Sequence, residues 1–254
     1  MKLIVGNWKM FPQTLLEAKA IFSAHKKSVR GMSRAKIVIC PPSVFLEPLA
    51  KMEKRKRCIE IGAQNTFYED EGARTGEVSP PQVRSVGATY VILGHSERRA
   101  LGETDEVIAK KAIQANKSKL TVILCVGERS RDEAGTYFNE VKEQLCRSLL
   151  DFPKSESKRL VIAYEPIWAI GKNAVRPATP SDFHEMSILI KRHLVDQFGK
   201  LAGFKVPILY GGSVDEKNSE WFFKDGKADG LLVGRISLDK EKFGAIMKLA
   251  HKIK

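Results

Sequence analysis

The amino-acid sequence predicts a single α/β domain over residues 1–254, a (β/α)8 barrel of eight parallel strands, and three observations carry that expectation. Eight short apolar runs rich in β-branched residues recur along the 254-residue chain. Each is near-continuously apolar instead of alternating, the pattern of parallel strands covered on both faces. Segments with helical spacing lie between them, and no Pro/Gly/Ser-rich linker divides the chain. Strict alternation of strand and helix calls for right-handed βαβ units. Eight such units in a chain of this length close into a barrel, whereas a doubly wound sheet has roughly five or six strands.

The elements follow in order. Leu3–Val5 is the first strand, and Leu15–Val29 the helix after it. Lys36–Cys40 leads to a shorter helix over Val44–Glu53. Cys58–Ala63 is followed by a long loop, Asn65–Pro80, and a short helix over Gln82–Val86. Loops beyond about 12–15 residues are usually functional or disordered, which weakens a bland surface reading of that loop. Thr89–Leu93 leads to Glu103–Asn116, and Leu120–Val126 to Glu133–Leu150. Arg159–Tyr164 precedes Ser181–Phe198, which opens on Thr179-Pro180-Ser181-Asp182, a cap residue, a proline and an acid. Val206–Tyr210 runs into Ser213-Val214-Asp215, read as another capped helix start. Gly230–Val233 is the last strand and Lys240–Lys252 the last helix.

Composition narrows the class. An apolar fraction of 43% supports a core without staples. The apolar runs are strand-sized, so no membrane span is expected, and the N-terminus reads without a signal peptide. Cys40, Cys58, Cys125 and Cys146 form no CxxC pair and read as reduced thiols, which points to a cytoplasmic protein. The net charge of +13 suits three things: a nucleic-acid partner, an anionic substrate, or a general surface bias. The densest basic cluster, Lys54-Arg55-Lys56-Arg57, has no aromatic residues interleaved and reads as a solvated helix end, so nucleic acid is not the expected partner. A positive field also speeds capture of a phosphate-bearing substrate, an effect that salt weakens.

In such barrels the residues just past the C-terminal strand ends face the site. Here those ends carry Asn7-Trp8-Lys9, Gln64-Asn65, Gly94-His95-Ser96-Glu97-Arg98-Arg99, Gly127-Glu128, Glu165-Pro166, Gly211-Gly212-Ser213 and Gly234-Arg235. Glycine-bearing ends on two adjacent late strands suit a phosphate, because backbone N–H groups can approach it closely. Taken alone, Glu165 reads as a strand-end carboxylate paired with Lys or Arg, and Lys9 as a solvated cation. No His/Cys/carboxylate cluster has metal-ligand spacing, so neither metal nor cofactor is expected.

Four of these segments together, Asn7-Trp8-Lys9-Met10, Gly94–Arg99, Tyr164-Glu165-Pro166-Ile167-Trp168-Ala169-Ile170-Gly171 and Tyr210-Gly211-Gly212-Ser213, resemble the triosephosphate isomerase family in order and spacing over nearly the whole chain. The resemblance implies a TIM barrel and a cofactor-free proton transfer between dihydroxyacetone phosphate and glyceraldehyde 3-phosphate through an enediolate, in glycolysis and gluconeogenesis. It assigns Glu165 as the base, His95 as a neutral hydrogen-bond donor to the substrate oxygen, and Lys9, supported by Asn7, as the fixed cation. Glu97 is implied to orient Lys9 or the His95 loop, Ile170 and Leu232 to shield the base, and Cys125 to lie behind it. Gly171, on a lid beginning at Pro166, is implied to hold phosphate with the backbone N–H groups of Ser213, Gly234 and Arg235. The loop containing Thr75 resembles the family's intersubunit arm and implies a homodimer.

Three departures from the family pattern stand out. The lid hinge Lys172-Asn173-Ala174-Val175-Arg176-Pro177 is about two residues longer. Arg235 replaces a second glycine, with a strain cost if the position needs φ > 0. Arg74 stands where relatives often carry Phe. Two alternatives remain beside the resemblance: another phosphate-binding barrel acting on larger sugar phosphates, and an inactive basic barrel that binds nucleic acid.

Overall fold

In a computed structural model describing residues 1–53, 58–171 and 174–253, all eight runs are strands. They are β1 (Lys2–Asn7), β2 (Ala35–Cys40), β3 (Glu60–Ala63), β4 (Tyr90–Leu93), β5 (Thr121–Val126), β6 (Leu160–Tyr164), β7 (Ile208–Tyr210) and β8 (Gly230–Val233). Each pairs in parallel with its sequence neighbours, and β8 returns to β1 (Leu3 opposite Gly230, Val5 opposite Leu232), so the barrel closes. Closure removes every strand edge and leaves both faces of each strand buried, which is why the runs are apolar throughout.

Ten α-helices accompany the strands among the described residues: α1 (Leu15–Ser28), α2 (Leu46–Lys51), α3 (Pro80–Ser85), α4 (Ser96–Ala100), α5 (Asp105–Lys117), α6 (Thr136–Ser148), α7 (Pro180–Phe198), α8 (Lys200–Lys205), α9 (Ser219–Lys224) and α10 (Lys240–Lys252). The capping chemistry read at Thr179 is present. Its side chain and that of Asp182 exchange hydrogen bonds with each other's backbone N–H, a capping box. The helix start read at Ser213-Val214-Asp215 is not there. Asp215 Oδ1 instead accepts from Lys217 N and Asn218 N in a turn, and α9 begins only at Ser219. An Asp whose side chain satisfies amides two and three residues on can close a turn as readily as it caps a helix. Helices α4 and α8, of five and six residues, match none of the helical segments that the sequence predicts.

The core has two layers. Small and branched side chains fill the barrel interior, among them Val5, Val38, Ile123, Cys125, Ala163 and Leu209. Larger ones, including Trp8, Phe22, Phe183, Phe222 and Phe243, fill the space between strands and helices. His25, on α1, belongs to this outer layer. Its ring packs between Trp8 and Phe243, and its Nε2 donates to Ser237 O at 2.9 Å. Burial pushes its pKa down to about 4, so it is neutral there. All four cysteines are free thiols; Cys40 and Cys125 are buried, Cys58 and Cys146 exposed. No helix among the described residues is long and apolar enough to cross a membrane. The basic cluster Lys54–Arg57 and the hinge residues Lys172 and Asn173 lie outside the described residues.

Candidate active site

The strand ends converge on one cavity of about 560 Å³, lined by Asn7, Lys9, His95, Glu97, Glu165, Ile170, Gly171, Ser213, Leu232, Gly234 and Arg235 among others. The strand-end residues Trp8, Gln64, Asn65, Arg98, Arg99, Gly127 and Glu128 stand outside this lining, and of the residues to which the resemblance gives a role, two lie away from it. Cys125 is fully buried beneath, and Thr75 sits in the exposed loop after β3.

At its centre Glu165 and His95 touch. Glu165, just past β6, and His95, just past β4, are 3% and 8% exposed, with His95 Nε2 3.1 Å from Glu165 Oε1. The tautomer follows from the other ring nitrogen. His95 caps α4, and its Nδ1 accepts from Glu97 N at 3.2 Å. Nδ1 therefore carries no proton, and the Nε2–H of a neutral imidazole points into the cavity. The second carboxylate oxygen of Glu165 accepts from Ser96 N at 2.9 Å. Two glycines make room for Glu165, Gly127 for its backbone and Gly211 for its side chain. A Cβ on Gly127 would sit 1.8 Å from the Glu165 carbonyl oxygen, and one on Gly211 would sit 3.0 Å from Glu165 Cγ. Behind it, burial pushes the Cys125 thiol well up, and the neighbouring Glu165 charge pushes it further, so a neutral thiol backs the base.

Lys9 enters from the end of β1. Its Nζ lies 2.5 Å from Glu97 Oε1, and its backbone is left-handed at φ 53. A non-glycine residue in that region costs on the order of 1–3 kcal/mol and persists only where surroundings over-determine it. Here Asn7 Oδ1 accepts from Lys9 N at 3.0 Å, and Gln64 Nε2 donates to both Lys9 O and Cys40 O at 2.8 Å. The sequence marks Gln64 only as a strand-end polar residue. Its bracing contact links β2 and β3 to the turn after β1, which no local pattern reveals.

In the same lining, four backbone N–H groups, those of Gly171, Ser213, Gly234 and Arg235, donate to no protein acceptor among the described residues. Because α9 starts six residues after Ser213, these amides belong to loops and a short 3-10 turn, Arg235–Leu238, and not to the first turn of a long helix. Arg235 lies outside the left-handed region, so replacing glycine there brings no backbone strain.

The segment that follows Glu165 is anchored to a buried carboxylate. Glu128, fully buried, accepts at Oε1 from Tyr164 Oη and Trp168 Nε1, both at 2.7 Å, and from Arg131 Nε at 3.0 Å. Burial, and then the Glu128 charge, push the Tyr164 hydroxyl pKa up, keeping it a donor. Two guanidiniums approach the Trp168 ring, Arg131 at 5.2 Å and Arg176 at 4.6 Å from its centre, and Arg176 holds Asp182 through two hydrogen bonds of 2.7 and 2.9 Å. The far side of the loop closes on its near side where Val175 N donates to Trp168 O at 2.8 Å. Arg74 pairs with Glu69 within its own exposed loop, Nη2 to Oε1 at 3.1 Å.

The triosephosphate isomerase family model matches residues 2–250. This chain belongs to the triosephosphate isomerase family. The family's enzyme from Aquifex aeolicus (strain VF5) is 42% identical over 248 residues, covering 97% of this chain and 98% of that protein. The one from Carboxydothermus hydrogenoformans is also 42% identical, over 96% of this chain and 97% of its own. Among solved structures, triosephosphate isomerase from Bartonella henselae superposes with a TM-score of 0.83 at 31% identity over 99% of both chains.

Proposed function

We propose that this chain, as one barrel domain, interconverts dihydroxyacetone phosphate and D-glyceraldehyde 3-phosphate, with Glu165, His95 and Lys9 as its catalytic residues. The observation that carries the assignment is the 3.1 Å contact between a buried carboxylate and the Nε2 of a histidine whose Nδ1 accepts from the backbone. A base and a neutral donor are thereby held on one spot, as a proton transfer at a carbon next to a carbonyl requires.

In this reading Glu165 leaves the Ser96 amide and takes a proton from the carbon beside the substrate carbonyl. The electron pair moves onto the carbonyl oxygen to give an enediolate. His95 Nε2–H donates to that oxygen, and the Lys9 ammonium balances the charge that develops there. The hydroxyl proton of the neighbouring carbon passes to that oxygen by way of His95 Nε2, and Glu165 returns its proton to the neighbouring carbon, so aldose and ketose differ in the positions of one carbon-bound and one oxygen-bound hydrogen. The unclaimed N–H groups of Gly171, Ser213, Gly234 and Arg235 hold the phosphate. Leu232 and Ile170 keep water from the carboxylate, which protects the enediolate from losing phosphate.

We further infer a cytoplasmic homodimer in which Thr75 reaches the partner's site. Support comes from the large apolar side chains left exposed near β1 and α1. Met10, Leu16 and Phe11 are 81%, 79% and 47% exposed, beside a groove lined in part by Pro12, Ile21 and Leu238. Clusters of this kind on a globular surface mark association sites.

A coupled assay of triose phosphate turnover tests the activity, with Glu165→Asp as its partner measurement. Retracting the carboxylate by one methylene should lower kcat by about a hundredfold or more, the cost of roughly 1 Å of misplacement. Turnover in the wild type that survives Glu165→Asp unchanged would reject Glu165 as the base.

A further inference from the structure

Two cations line the cavity, and their settings differ. Lys9 is already ion-paired with Glu97. Arg235 is exposed, and its guanidinium has no ion pair and no hydrogen bond among the described residues. Among the described residues Arg99, Arg131, Arg159 and Arg176 each hold a carboxylate, whereas Arg235, like the surface residues Arg30, Arg34, Arg129 and Arg192, holds none; Arg235 alone of these five lines the cavity. The cavity wall also carries three carboxylates, Glu97, Glu165 and Asp215. Were Arg235 neutral, carboxylates would outnumber cations three to one on a wall that must receive a dianion.

Position reinforces the charge argument. Arg235 follows Gly234, and a Cβ on Gly234 would lie 3.5 Å from Lys9 Cε and 3.9 Å from Lys9 Nζ. The base of the Arg235 side chain is thus one residue from the Lys9 ammonium, on the same rim as the free amides. Its backbone carries no left-handed strain, so the replacement of glycine costs the turn nothing in conformation.

We propose that the Arg235 guanidinium is a substrate-binding side chain, contacting outer phosphate oxygens in addition to the backbone N–H groups beneath them. The proposal rests on the reading of this cavity as a triose phosphate site. The planar fork of Arg matches a phosphate through two parallel charge-assisted hydrogen bonds, a match that a lysine ammonium lacks. The contact is made by an exposed side chain, so its contribution falls as salt rises.

The test titrates 2-phosphoglycolate into the wild type, R235Q and R235K by calorimetry at low and physiological salt, and compares their kinetics on dihydroxyacetone phosphate. R235Q should bind 2-phosphoglycolate about tenfold more weakly, in line with loss of a charge-assisted contact. Its KM should rise by a similar factor, its kcat should change far less, and its affinity should depend less on salt. R235K, keeping the charge but not the fork, should fall between the two. Affinity and KM of R235Q within twofold of the wild type would overturn the proposal while leaving the site reading intact. A wild type that neither binds 2-phosphoglycolate nor turns over the triose phosphate would overturn both.

Discussion

Gly127→Ala is the sharpest structural test of how the base is positioned, because it touches no substrate and adds a single methyl group. The new Cβ would lie 1.8 Å from the Glu165 carbonyl oxygen and 2.6 Å from its carbonyl carbon. Non-bonded carbon and oxygen atoms need roughly 3 Å or more, so β5 and β6 must part by at least about 1 Å at this level. Glu165 cannot escape the strain by changing rotamer, since the collision is with its backbone. That backbone is tied to both neighbours: Glu165 N donates to Val126 O, and Gly211 N to Tyr164 O. A displacement of this size in a catalytic group lowers kcat/KM by about a hundredfold, or about 2.7 kcal/mol. Overpacking adds about 1–3 kcal/mol of destabilisation. The measurement is kcat/KM on triose phosphate beside urea denaturation of the same preparation. Folded G127A with kcat/KM within threefold of the wild type would refute the claim that this glycine sets the position of Glu165.

Other expectations follow from the same coordinates. Gln64→Ala leaves the Lys9 carbonyl without its donor, while Cys40 O keeps the Trp8 N–H, and releases the left-handed turn at Lys9. The unsatisfied carbonyl costs about 1–3 kcal/mol of stability, and kcat/KM should drop on the order of tenfold or more as the ammonium loses its fixed place. His25 is neutral in the fold, its pKa pushed down to about 4 from an ordinary value near 6.5. The unfolded chain therefore binds the extra proton first. Stability from this group is complete above about pH 6.5, declines as pH falls toward 4 and is lost below, amounting to about 3 kcal/mol. Denaturant titrations at pH 7.5 and pH 4 should show that loss, and His25→Gln should remove this share of it. For the inferred dimer, light scattering should return twice the 28.4 kDa chain mass, and Leu16→Glu should shift the population toward monomer; a monomeric wild type at micromolar concentration rules the dimer out.

Much of the fold was legible because its signals are local. A strand buried on both faces must be apolar at every position, and eight such runs mark the barrel whatever their partners. Strand boundaries moved by at most two residues, as at Val206 against Ile208, and the start of α6 by three, Glu133 against Thr136. What escaped was short or non-local. Helices α4 and α8 show no period in their five and six residues, and Asp215 offered a helix-start signal that a turn consumed instead. At the site, the strand-end rule placed Asn7, Lys9, His95, Glu165 and Gly234 at one mouth, where the cavity gathers them. Neither Gln64 as the brace of Lys9 nor Glu128 as the anchor of Trp168 follows from spacing, because each bond joins different strand ends or a strand end to the segment beyond it.

The sequence by itself determined that strands alternate with helices, that both strand faces are covered, and which polar residues stand at the strand ends, since all three depend on the order of residue types along the chain. Tertiary structure alone decided which nitrogen of His95 faces the carboxylate, that Arg235 stays free while Lys9 is paired, and that Gly127 must lack a side chain. Those facts are distances between groups tens of residues apart, and only closing the barrel sets them.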